Sequence, residues 1–208
     1  MTNPPPTEVI RPLSNAERAQ SLRETLARAP DRSNLRVFGY GSLMWNPCFD
    51  VAAQAKCELY GYHRDFSIWS VYARGTPECP GLGFALEEKP GSLCKGIVFT
   101  LPRTTTEADL MPLWEREMWT GTYTAEWISI SVGGVEIPAL AFVVSTDHFQ
   151  YAGGLPRSEK ARYIAAASGK YGTCYDYLAE TVKEMKEHGI EDVELDDLLE
   201  AVERLRGE

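Results

Sequence analysis

Val37-Phe38-Gly39-Tyr40-Gly41-Ser42-Leu43-Met44-Trp45, written VFGYGSLMW, sets a glycine-containing turn between a short apolar run and a second apolar group. An apolar run that stops at Gly-Tyr-Gly-Ser reads as a strand ending in a turn. Two readings of that turn stand side by side. It is an ordinary reversal, or it gathers backbone N–H groups around an anionic or carbonyl oxygen, because glycine lets main chain approach a ligand and adopt positive φ.

On either side of this stretch the pattern alternates between strand and helix. Segments 35–38, 57–70, 82–87 and 93–101 read as strands separated by turns containing proline or glycine. Strands over 123–132 and 135–146 meet at Gly133-Gly134, a pair suited to the positive φ of a tight hairpin. The unbroken apolar run 139–144 predicts burial on both faces. Ser14-Asn15-Ala16-Glu17 is a capping-box pattern that opens a helix to about residue 29, before Pro30. Further helices are predicted over 107–119, 158–167, 173–188 and 195–205. Residues 1–13 carry four prolines and read as a flexible tail. The remainder, 14–208, reads as one domain of class α+β, in which a mixed sheet curls into a small barrel with helices packed around it and extra helices at both ends.

Composition narrows the function. The chain has 208 residues, of which 44% are hydrophobic and 25% charged, as in ordinary globular proteins. A net charge of −9 argues against a nucleic-acid binder that tracks phosphates, and for a small-molecule or protein partner. Acidic residues from Glu184 to Glu200 read as a solvated helical face. The five cysteines form no Cys-x-x-Cys pair, which excludes a zinc ribbon or disulfide framework and suggests reduced thiols in a cytoplasmic protein. The N-terminus lacks a secretory pattern, and no apolar run is long enough to span a bilayer. Nucleophile elbow, zinc-helix, phosphate-loop and dinucleotide motifs are all absent. Of the three histidines, His148 and His188 suit structural or exposed positions.

One acid breaks the apolar pattern. In EADLMPLWEREMW, Leu110, Leu113, Trp114 and Glu117 fall at i, i+3, i+4 and i+7, so Glu117 shares the inward stripe. Glu115 and Arg116 are offset toward solvent. A buried carboxylate costs several kcal/mol unless hydrogen-bonded or protonated. Glu117 therefore either pairs with a buried arginine such as Arg64 or Arg74, caps a neighbouring backbone group, or serves chemistry. Pro112 within this helix predicts a kink or restart.

VFGYGSLMW, HRDFSIWS, YARGTPECPGL, LWEREMWTGTY and AAASGKYGTCYDYL occur in one order across nearly the whole chain. In these five segments the sequence resembles the ChaC-type γ-glutamylcyclotransferases that act on glutathione, in their bacterial branch. The resemblance implies a small mixed-strand barrel with surrounding helices. It implies conversion of glutathione to 5-oxoproline and cysteinylglycine with no cofactor and no metal. It further implies that Phe38, Gly39, Tyr40, Gly41, Ser42 and Leu43 bind the γ-glutamyl group, with Glu117 as catalytic acid and base. Arg64, Arg74, Tyr123 and Tyr177 match frequent family positions, with Arg74 and Tyr123 taken as substrate-binding. Cys174 departs from the asparagine common in relatives. A different γ-glutamyl amine or dipeptide as substrate, or a catalytically silent sensor of γ-glutamyl ligands, stays open at this point.

Overall fold

Gly133 and Gly134, at φ +58° and +86°, turn β4 (Tyr123–Val132) into β5 (Val135–Val144). The two strands pair antiparallel from Val132 opposite Val135 to Tyr123 opposite Val144. β1 (Arg36–Gly39) lies on the other side of β5 and runs parallel to it where Val37 meets Leu140. A strand flanked on both edges is the central kind, and residues 139–144 of β5 are all buried, as their apolar run predicts. β1 pairs antiparallel with β3 (Gly81–Thr100), β3 neighbours β2 (Ala53–Ser70), and β2 pairs antiparallel with β4. The five strands close a mixed barrel in the order β1-β3-β2-β4-β5. This computed structural model describes residues 3–8 and 10–207, and its class is the α+β expected.

The chain forms two compact units. The barrel unit comprises Pro12–Arg64 and Leu86–Val144. It contains β1, β4, β5, most of β2 and β3, and the helices α1 (Asn15–Ala27) and α2 (Glu107–Glu117). The Ser14 hydroxyl accepts from the Glu17 amide at 3.2 Å, and the Glu17 carboxylate accepts from the Ser14 amide at 2.7 Å, closing the capping box. Leu22 and Leu26 of α1 pack with Leu110, Leu113 and Trp114 of α2 over Val37, Leu140 and Phe142. Trp114 meets Phe142 edge-on at 5.4 Å and its Nε1 donates to Ser21 Oγ at 3.2 Å. This packing carries α2 past Pro112 as one continuous helix, so the proline neither ends nor restarts it.

The helical unit comprises Met1–Arg11, Asp65–Ala85 and Ser145–Glu208. It holds α3 (Arg157–Ala166), the two-residue strands β6 (Ser168–Gly169) and β7 (Gly172–Thr173), α4 (Cys174–Glu187) and α5 (Val193–Arg206). The Thr173 hydroxyl accepts from the Asp176 amide at 2.9 Å, and the Asp192 carboxylate accepts from the Leu195 amide at 3.2 Å, capping α4 and α5. The acidic face is ion-paired at the surface, Lys186 with Asp196 at 2.7 Å and Arg157 with Asp197 at 2.9 Å. Asn3 accepts through its carbonyl from Trp69 Nε1 at 2.8 Å and donates through Nδ2 to the His148 carbonyl at 3.0 Å. Among the described residues no helix is long and apolar enough to cross a membrane.

The largest departure from the expected strand boundaries is in β3. The segments 82–87 and 93–101 are a single strand, β3, which runs through Lys89-Pro90-Gly91 without ending. Residues 88–91 are exposed, where a proline's missing donor costs little, and Gly91 at φ +83° takes up the local change of direction.

Candidate active site

β1 ends at Gly39, and one 3-10 turn over Ser42–Met44 follows, closed by the Met44 amide donating to the Gly41 carbonyl at 2.8 Å. The Asn46 amide donates to the Ser42 carbonyl at 3.0 Å. Neither Gly39 nor Gly41 uses positive φ, contrary to expectation; Gly41 has φ −140°. Close approach is what Gly39 serves. A Cβ on Gly39 would lie 3.0 Å from Phe99 Cε2, and a Cβ on Gly96 of β3 would lie 2.5 Å from the Gly39 carbonyl oxygen. Phe38, Tyr40 and Leu43 turn buried side chains into the fold, with Tyr40 Oη donating to the Phe142 carbonyl at 3.1 Å. Any contact these three make with a ligand must therefore come mainly from their backbone. Arg64, 4% exposed, donates from Nη1 to the Tyr40 carbonyl at 2.8 Å and braces the same segment.

Glu117 is the last residue of α2, and its side chain is 13% exposed. Burial pushes its carboxyl from the ordinary 4.5 up to about 7, against the opposing pull of the Arg116 guanidinium. Its place in the last helical turn adds the end of the helix dipole that disfavours negative charge. The inward placement follows from the stripe of Leu110, Leu113 and Trp114, all buried.

Arg116 does not point away to solvent, which corrects the reading of its offset position. Its Nη1 donates to the Asn46 carbonyl at 2.7 Å, its Nη2 donates to Ser42 Oγ, and its Nε lies 3.3 Å from Glu117 Oε1. One guanidinium thus touches both the glycine turn and the acid, bringing Ser42 and Glu117 into one constellation. Glu117 pairs with this sequence neighbour, while Arg64 donates to the Tyr40 carbonyl and Arg74 to the Tyr171 carbonyl. The Cys48 thiol, pushed up by burial, also feels Arg116 and Glu117. Helical spacing gives the direction of a Cα–Cβ bond, and a side chain as long as arginine can curl back from it, so sequence alone hid this bridge.

The remaining site candidates divide by unit. Tyr123 opens β4 in the barrel unit and packs, partly buried, against the core around Trp114. Arg74 belongs to the helical unit, where its Nη1 donates to the Tyr171 carbonyl at 2.5 Å and its guanidinium lies 4.9 Å from the centre of the Tyr177 ring. Cys174 is buried there; its thiol donates to the Leu82 carbonyl at 3.2 Å and is pushed by burial up to about 11. His148 Nδ1 accepts from the Gln150 amide at 3.2 Å, and His188 lies 2.9 Å from the Glu184 carbonyl at the end of α4. His63 Nε2 of the barrel unit is 3.5 Å from Glu87 Oε2.

The family model described as ChaC-like protein matches residues 35–205. A glutathione-specific gamma-glutamylcyclotransferase of Escherichia coli (strain K12) is 38% identical over 196 residues, covering 94% of this chain and 84% of that protein. Gamma-glutamylcyclotransferase 2-1 of Arabidopsis thaliana is 33% identical over 165 residues, covering 73% of this chain and 74% of its own. Among solved structures, a gamma-glutamyl cyclotransferase specific to glutathione from yeast superposes with a TM-score of 0.76 at 22% identity, covering 84% of this chain and 97% of that one.

Proposed function

We propose, on the premise that this chain belongs to the ChaC-like protein family, that it degrades glutathione to 5-oxoproline and cysteinylglycine, with Glu117 moving the protons. The observation that carries the reading is a carboxyl only 13% exposed that shares one guanidinium with Ser42 of the glycine turn. The relatives named for glutathione supply the substrate class, and the uncombined cysteines fit a cytoplasmic setting.

The γ-glutamyl unit carries its own nucleophile. Its α-amine attacks the γ-carbonyl and closes a five-membered lactam, while the bond from that carbonyl carbon to the cysteinyl nitrogen breaks. Two protons leave the attacking nitrogen and two arrive on the departing one, so no water is consumed. Because both reacting groups sit in one molecule, the protein's task is to hold a bent conformer, relay protons and steady the oxyanion.

Glu117 suits the relay. An ordinary glutamate near ~4.3 facing an α-ammonium near ~8 works across roughly four units, about 5 kcal/mol. With the carboxyl raised to about 7, the difference shrinks to about one unit, about 1.4 kcal/mol. The same carboxyl, once protonated, is acidic enough to deliver its proton to the departing nitrogen. In this reading the substrate's anionic and carbonyl oxygens bind to the backbone between Gly39 and Leu43 and to the Ser42 hydroxyl. Tyr123, in the same unit, is assigned a supporting contact to the substrate.

The test is incubation of the purified protein with reduced glutathione and a metal chelator. 5-Oxoproline and cysteinylglycine are expected in equal amounts. Glutamate in place of 5-oxoproline, or no product at all, overturns the reading.

A further inference from the structure

We propose that Arg116 is a positioning residue for this reaction: it fastens the Ser42 turn to the helix that carries Glu117, and it decides which way the Ser42 hydroxyl points. The inference rests on the cyclotransferase reading above and adds a role that the reading does not require.

A guanidinium has five N–H donors in a rigid planar fork and no acceptor. Here the fork reaches three places in the barrel unit: the Asn46 carbonyl at 2.7 Å, Ser42 Oγ, and Glu117 Oε1 at 3.3 Å from Nε. Ser42 opens the 3-10 turn and Asn46 lies two residues past its end, so the turn is gripped on both sides. Successive residues on a helix do not ordinarily face each other. The approach of Arg116 to Glu117 therefore requires the arginine to fold back, and its bonds to Ser42 and Asn46 hold it in that shape. At 27% exposed, the side chain is more covered than its offset position on α2 would suggest.

The polarity of Ser42 follows. Because the guanidinium can only donate, Ser42 Oγ must accept from it, and the hydroxyl hydrogen is left to donate elsewhere. Ser42 is thereby set as a donor toward an anionic or carbonyl oxygen, the kind the γ-glutamyl head presents. The fixed positive charge also opposes the effect of burial on Glu117. The Arg116 guanidinium on its own helix is the charge that acts on Glu117, and the Cys48 thiol, from the segment after the turn, feels both groups.

Two substitutions separate the clamp from the charge. Arg116→Gln removes the charge and keeps a donor amide; Arg116→Lys keeps the charge and loses the fork. Carboxyl-detected NMR titration of the free protein reads Glu117 directly. Arg116→Gln is expected to move its midpoint upward by about one unit, and Arg116→Lys to leave it near the wild-type position. With glutathione as substrate, Arg116→Lys is expected to lower kcat/KM by roughly tenfold or more, because an ammonium cannot bridge the turn and the acid. In a Ser42→Ala background the same substitution should cost only a few-fold, since the hydroxyl it orients is gone. An unmoved Glu117 midpoint in Arg116→Gln, or losses for Arg116→Lys and Ser42→Ala that simply multiply, overturns the inference. If Arg116→Gln does not fold, the Arg116→Lys and Ser42→Ala cycle decides. Absence of 5-oxoproline from the wild type removes the cyclotransferase reading and this role with it. Normal wild-type turnover beside indifferent Arg116 variants removes this role alone.

Discussion

A carboxyl that keeps its proton to about pH 7 makes folding depend on pH in the direction opposite to that of a well-paired surface acid. For Glu117 the folded value is raised from 4.5 to about 7. Below 4.5 both states are protonated and its contribution is fully present. Between 4.5 and 7 the folded state holds a proton that the unfolded state has lost, so stability falls as pH rises through this window. At ~1.4 kcal/mol per unit the whole effect is about 3 kcal/mol, an upper figure for a side chain that is 13% exposed. Glu117→Gln, nearly isosteric and unable to ionise, should therefore melt like the wild type near pH 4 and above it at pH 8, while turnover falls ~10²- to 10⁴-fold. Thermal melts across pH, paired with 5-oxoproline release, check both. Equal melting at every pH, or near-normal turnover, rejects the assignment. Glu117 was legible in sequence because helical spacing reports burial of a short stem. Arg116 was not, because its contacts depend on how three further torsions fold.

At the scale of elements, the turn's position depends on how closely β1 and β3 approach. The strand ending in VFG and the turn after it could be read from apolar and glycine spacing, and so could α2 and the β4–β5 hairpin. The role of Gly96 could not, because it depends on a register that pairs Gly39 with Ile97 from a distant part of the chain. A Cβ at Gly96 would meet the Gly39 carbonyl at 2.5 Å and the Phe38 ring at 2.5 Å. Backbone cannot yield there without displacing the residues that lead into the turn. Gly96→Ala is expected to lose roughly 1–3 kcal/mol of stability through overpacking, and to raise KM for glutathione by moving the turn. Gly91→Ala serves as the comparison: it is strained at φ +83°, but nothing lies within 4 Å of its added Cβ, so it should cost stability while leaving KM unchanged. Urea unfolding with steady-state kinetics on both variants tests this. An unchanged KM in Gly96→Ala would separate the strand packing from the site.

Across the whole molecule, chain connectivity limits how independently the two units can melt. Each is assembled from separate stretches of sequence, and β2 and β3 contribute residues to both: β2 changes unit after Arg64 and β3 after Ala85. Neither division was legible beforehand, since a strand that continues from one unit into the other leaves no linker composition to detect. Losing either strand takes ladder bonds from both units at once, which favours one cooperative transition. Buried cysteines report on it. Cys57 of the barrel unit is pushed by burial up to about 12, and Cys174 of the helical unit up to about 11, so neither supplies thiolate at neutral pH while folded. Both should resist a maleimide in the native protein, and both should become reactive over the same range of urea, as read by mass spectrometry of the two peptides. Exposure of Cys174 at a lower urea concentration than Cys57 would show instead that the helical segments open while the barrel holds.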